Sequence, residues 1–164
     1  MIFDFITALR RNHALEHATA AVLMAKSKVG TRLVGRATTN GFYVYGDAST
    51  EAVSQAAEEG LARLKQGEDN LAVSPFCGTN LVVAALLAGL ASMLVMKGKN
   101  STGRLPNVLL ATLTAVLIAQ PLGRLAQKYL TTSTDVDAVN IAEVTSKGEG
   151  TYTRHKIRTL QGQD

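Results

Sequence analysis

His13-Ala14-Leu15-Glu16-His17 sets two imidazoles one helical turn apart, with a carboxylate beside the second. Side chains at i and i+4 lie one above the other on a helix, so two ring nitrogens can converge on a single divalent metal. A neighbouring carboxylate can polarise a water at that metal or hold a ring N–H. Of the three histidines in the chain, two are in this one turn. With Ile6 at zero and about 100° per residue, His13 falls near −20°, His17 near +20° and Glu16 near −80°. The histidines therefore share a stripe with Ile6, Ala20, Ala21 and Met24, which reads as an inward-looking face of small residues. Buried polar groups left unpaired cost about 1–3 kcal/mol each, so a cluster of three implies partners.

A metal needs a third ligand. Cys77 ranks first, in a Cys-Gly-Thr-Asn turn just before a long apolar stretch; Glu143 ranks second and His155 third. The expected ligand set is His13, His17 and Cys77 around zinc, with Glu16 as the candidate general base. Three metal-free or partner-supplied alternatives stand beside it. The histidines could bond backbone carbonyls and Glu16 as satisfied core groups. They could face lipid headgroups, or they could ligate a pigment magnesium or a haem iron in a partner complex.

The elements that must position these residues can be read from pattern. Phe3–Lys26 is Ala- and Leu-rich with no Gly or Pro and predicts a helix. Thr31–Ala37 and Gly41–Tyr45 predict two strands around an Asn40-Gly41 turn. Capping residues from Asp47 to Glu51 introduce a helix over Glu51–Gln66, with Val53, Ala56, Ala57, Leu61 and Leu64 on one face and Gly67 at its end. Leu71–Ser74 reads as a short strand, and Thr79 or Asn80 as the cap of the helix that follows. Ala138–Thr145 and Thr151–Thr159, broken by Lys147-Gly148-Glu149-Gly150, predict a second hairpin that joins the first, because an isolated hairpin is marginal in water. The expected fold is α+β: a small mixed sheet with two helices, interrupted by a two-helix transmembrane hairpin. Its parts are 1–79, 80–123 and 124–164.

The interruption rests on charge. Leu71–Met96 and Leu105–Gly123 contain no charged residue, and Lys97–Arg104 between them is a short basic turn. Asn80–Met96 and Pro106–Gly123 approach the roughly 20 apolar residues that a hydrocarbon core requires. A soluble hairpin is the competing reading, since Trp is absent and neither span carries an aromatic belt. A chain of this size, however, has too little protein to wrap two helices that are apolar all round. Ala84, Ala88 and Ser92, and Ala111, Ala115 and Ala119, form small-residue stripes along which the spans can pair. Past the second span, Pro121 and Gly123 are expected to loosen the helix, which runs on towards Tyr129.

Asp4, Arg10-Arg11 and the lack of a cleavage site argue against a targeting signal in Met1–Lys26. The expectation is a multi-pass protein of the cell membrane with its soluble part in the cytoplasm. A lone cysteine excludes an intramolecular disulfide. The net charge of +4 suits a protein beside anionic headgroups, whereas scattered cations without interleaved aromatics argue against nucleic acid. Expected partners are the lipid bilayer and a membrane protein or a second copy of the chain.

Locally, Asn12–Thr19 resembles the H-x-x-E-H helix of the pitrilysin-type (inverzincin) metallopeptidases, in which the two histidines bind zinc and the glutamate is the base. Those enzymes are built from domains larger than this whole chain. Over most of its length the chain resembles a family of uncharacterised integral membrane proteins of cyanobacteria and green filamentous bacteria, on His13–Thr19, Asn40–Phe42, Tyr45–Asp47 and Cys77–Asn80. That resemblance implies a shared fold and a site made from His13, Glu16, His17 and Cys77. Three functions follow as expectations: a membrane-anchored zinc-binding module, a small membrane-tethered zinc hydrolase using Glu16, and a non-catalytic subunit of a larger membrane complex.

Overall fold

Asn40-Gly41 turns the first hairpin, and Gly41 does more than turn it. Its φ is +131°, and a Cβ there would lie 1.9 Å from the carbonyl oxygen of Ile157. The glycine thus admits the turn and lets a distant strand lie alongside. In the computed structural model, which describes residues 2–27, 33–97, 104–148 and 153–162, the order is α1 (Ile2–Lys26), β1 (Leu33–Thr38), β2 (Gly41–Gly46), α2 (Thr50–Lys65), a 3-10 turn (Asp69–Ala72), α3 (Gly78–Met96), α4 (Arg104–Ala126), a π turn (Gln127–Thr131), β3 (Val139–Lys147) and β4 (Arg154–Gln161). The architecture is α+β, and two of its helices, α3 and α4, are long and apolar enough to cross a membrane.

The chain forms two compact units, 1–74 with 128–164, and 75–127. In the first, the sheet runs β1-β2-β4-β3, so the tail hairpin joins the first hairpin through β2 and β4. Every pairing is antiparallel, not mixed, because the sheet is two hairpins joined by one more antiparallel contact. Alternation along β2 sends Phe42 and Val44 to the core while Tyr43 and Tyr45 are only half-buried; on β4, His155, Ile157 and Thr159 are buried. The core is completed by Ala14, Leu15, Ala18 and Val22 of α1 and by Val53, Ala56, Ala57, Leu61 and Leu64 of α2. Ser49 caps α2, its side chain accepting from the Ala52 N–H.

Leu71–Ser74 does not form a strand. β1 and β3 are the edges of the sheet, and local bonds from Leu71 N–H to Glu68 (3.0 Å) and Val73 N–H to Asn70 (3.3 Å) satisfy the backbone as a 3-10 turn. Thr31, Arg32, Thr151, Tyr152, Glu149-Gly150 and 98–103 of the expected basic turn lie outside the described residues.

In the second unit α3 and α4 pack along their small residues, with Ala115 and Ala119 buried and Ser92 Oγ 3.0 Å from Thr112 Oγ1. The cap of α3 is Cys77, not Thr79 or Asn80: its sulfur accepts the Thr79 N–H at 3.4 Å. Asn80 is used otherwise, donating to the Pro75 carbonyl (3.0 Å) and accepting from Gln127 Nε2 (2.7 Å). A Cβ at Gly123 would stand 2.3 Å from Asn80 Oδ1, so Gly123 makes room for this polar pair within an unbroken α4.

Candidate metal centre

α1 is continuous through its histidines, and the two rings stand with centroids 4.4 Å apart. They do not lie on the inward face anticipated for them. Ile6 and Met24, the ends of that stripe, are exposed; Ala14, Leu15, Ala18 and Val22 line the core instead. At about 100° per residue the histidines lie roughly 135° round the helix from that core stripe, and carbonyls of other elements reach them there.

Both rings are oriented by carbonyls. His17 Nδ1 lies 2.7 Å from the Ala72 oxygen, and His13 Nδ1 lies 2.9 Å from the Thr131 oxygen. A carbonyl only accepts, so each Nδ1 carries a proton, which leaves Nε2 as the nitrogen that could offer a lone pair to a metal. A hydrogen bond at the far ring nitrogen is what fixes the orientation of a ligating histidine. It also satisfies the metal-free expectation that the rings bond backbone carbonyls, so the third residue decides what the cluster can hold.

The third ligand ranked first, Cys77, belongs to the second unit, where it caps α3. Within the first unit, His13 and His17 offer two of the ligands that a metal ion would need. Glu143 and His155 are elsewhere. Glu143 is an exposed partner of Arg158 at 3.5 Å, and His155 is fully buried in the sheet, opposite Val44 and Ser146. Burial pushes the His155 imidazole below its ordinary pKa, and the Ala48 backbone offsets this only in part.

Glu16 is buried, with Oε2 4.0 Å from His13 Nε2. Its place depends on Gly35 of β1, where a Cβ would lie 1.8 Å from Glu16 Oε1. Asn12 supports the same stretch of helix. It donates to the carbonyls of Thr38 (2.8 Å) and Thr39 (3.1 Å) and accepts from Thr159 Oγ1 (2.7 Å), tying α1 to the first hairpin and to β4. Sequence reasoning missed both residues, although each carries a signal. Glycine inside a strand often marks close approach, and asparagine inside a helix is disfavoured unless its side chain has partners.

The profile of a family described as Domain of unknown function (DUF6391) matches residues 8–144, which includes α1 from Ala8 onward, the whole of α2, α3 and α4, and the sheet as far as Val144 of β3. An uncharacterized protein of Picosynechococcus sp. (strain PCC 7002) is 36% identical over 146 residues, covering 79% of this chain and 71% of that protein. No solved structure matches.

Proposed function

The chain belongs to the DUF6391 family, and on that premise we propose that it is a membrane-anchored zinc-binding protein with His13, His17 and Cys77 as the protein ligands. One observation carries the reading: two imidazoles one helical turn apart stand with centroids 4.4 Å apart, each oriented by a backbone carbonyl. Imidazole and thiolate together suit zinc better than magnesium or calcium, which take oxygen ligands. The anchor is the α3–α4 hairpin. Leu81, Leu86, Leu90 and Leu94 are all more than half exposed on α3, a surface that water does not favour and hydrocarbon does. The soluble part is assigned to the cytoplasm, and the role is structural or regulatory.

A second reading, a membrane-tethered hydrolase, is favoured by Glu16. Its carboxylate stands 4.0 Å from His13 Nε2, close enough to contact a water that a metal ion would polarise. Zinc, when bound, would supply the Lewis acid; Glu16 Oε2 would take the proton of the attacking water.

Metal analysis of the purified full chain tests the proposal. The expected result is about one zinc per chain, lost in His13→Ala/His17→Ala and weakened in Cys77→Ser. Protein without stoichiometric metal would overturn it. Glu16→Gln separates the two readings, since a base is needed for turnover but not for metal retention. Failure of the chain to stay in membranes after alkaline extraction would remove the anchor without touching the metal.

A further inference from the structure

α1 begins with four apolar side chains that its own unit leaves uncovered. Ile2, Phe3, Phe5 and Ile6 are 74%, 82%, 59% and 46% exposed, and burial begins only at Ala8. At about 100° per residue these four fit within an arc of roughly 160°, with Asp4 on the opposite side. Of the four phenylalanines only Phe42 is in the core; besides Phe3 and Phe5, the exposed one is Phe76, immediately before Cys77 and α3.

What covers the turn is indicated by its neighbours. Arg10 donates from Nη2 to the carbonyls of Tyr129 (3.0 Å) and Thr132 (2.9 Å), and from Nε to Thr132 (3.2 Å). Tyr129 and Leu130 are themselves exposed, and they follow within a few residues of the end of α4. This end of α1 is therefore tied to the stretch of chain that leaves an apolar helix, where a span passes from hydrocarbon to headgroups. Lys128 sits over the Tyr129 ring at 5.6 Å, so cations and aromatics stand together there. Bulky apolar and aromatic side chains beside cations are the composition of an interfacial anchor.

We propose that the Ile2–Ile6 turn of α1 inserts into the boundary between lipid headgroups and acyl chains. The inference rests on reading α3 and α4 as membrane spans. It extends that reading, because the unit that carries His13 and His17 would then be held to the lipid surface at a second point, with His13 about 10 Å along the helix from Ile6.

The chain has no tryptophan, so a single introduced one reports depth without background. Phe3→Trp and, separately, Leu90→Trp are made in the full chain and reconstituted into mixed phosphatidylcholine and phosphatidylglycerol vesicles. Emission is then quenched with brominated lipids or with iodide. Phe3→Trp is expected to be quenched by shallow-brominated lipid and protected from iodide, and adding Phe5→Asp should at least halve that lipid quenching. Three outcomes overturn the proposal. If iodide and not bromolipid quenches Phe3→Trp while Leu90→Trp is lipid-quenched, the turn lies in water and the spans stand. If neither quencher reaches Phe3→Trp, a protein surface covers the turn. If Leu90→Trp escapes bromolipid, the span reading falls and this inference falls with it.

Discussion

α1 and α3 are both long helices rich in alanine and leucine, and they place those apolar residues in opposite ways, α1 largely inside and α3 largely outside. α1 buries Arg11, Asn12, Glu16, His17 and Thr19 beside its core stripe; α3, among its described residues, buries Asn80 and exposes Leu81, Val82, Leu86 and Leu90. In α1 the protein supplies what water would have supplied. Asn12 and His17 bond carbonyls of other elements, and Thr19 Oγ1 donates to its own helix at Leu15 (2.7 Å). In α3 the apolar surface has no such need and asks instead for an apolar solvent. The difference teaches that helix composition is a poor guide here, and that what surrounds each side chain assigns its environment.

Identical truncations should break the symmetry most sharply. Phe42→Ala, in the core under α1, is expected to cost about 3–5 kcal/mol, whereas Leu86→Ala on α3 should stay within about 0.5 kcal/mol, because on the proposed membrane-spanning reading lipid would meet that position in both folded and unfolded states. Chemical denaturation of the protein in mild detergent measures both. Reversing polarity sharpens the contrast further. Leu86→Arg should cost about 2.5–3.5 kcal/mol of insertion and reduce the membrane-integrated fraction, while the same change on a water-facing helix would be silent or would improve solubility.

Asn12→Ala should lose about 2–3 kcal/mol, since it strands the Thr38 carbonyl and the Thr159 hydroxyl together; Thr159→Val alone should lose less. Gly35→Ala drives a methyl against the Glu16 carboxylate and is expected to cost about 1–3 kcal/mol, and Glu16→Ala should relieve part of that cost in the double variant. His155 gives the smallest effect. Its pKa is lowered in the folded state, so the unfolded chain binds more protons below its ordinary value near 6.5. Stability is then full above about pH 6.5 and declines as the pH falls below it, by at most about 1.4 kcal/mol per pH unit. His155→Phe should flatten this slope, as melting temperatures from pH 7.5 to 5.5 in detergent would show.

Much of the molecule was legible in advance, for reasons that differ by element. The apolar face of α2 and a cap somewhere in Asp47–Glu51 follow from spacing within one helix, and so does the meeting of His13 with His17; that Ser49 is the cap comes from the structure. The turn at Asn40-Gly41 follows from the chemistry of two residues. Leu71–Ser74 reads as a strand but forms a 3-10 turn, because an apolar tetrapeptide has no period long enough to separate the two. The capping role of Cys77 on α3 is hidden in the sequence, which points to Thr79 or Asn80, because the competing contacts of Asn80 with Pro75 and Gln127 cannot be seen locally.

The sequence by itself determined which groups are one helical turn apart, where charge is absent for the length of a span, and where the chain can reverse. These are consequences of backbone geometry and short-range sterics. Only the tertiary structure decided the rest: that β4 lies between β2 and β3, that Gly35 leaves the space Glu16 fills, and that the Ala72 and Thr131 carbonyls hold both imidazoles by Nδ1–H. The contacts of Gly35, Ala72 and Thr131 with α1 join residues from 19 to 118 positions apart, and loop closure over such distances is settled by the packing of the whole core rather than by any local preference.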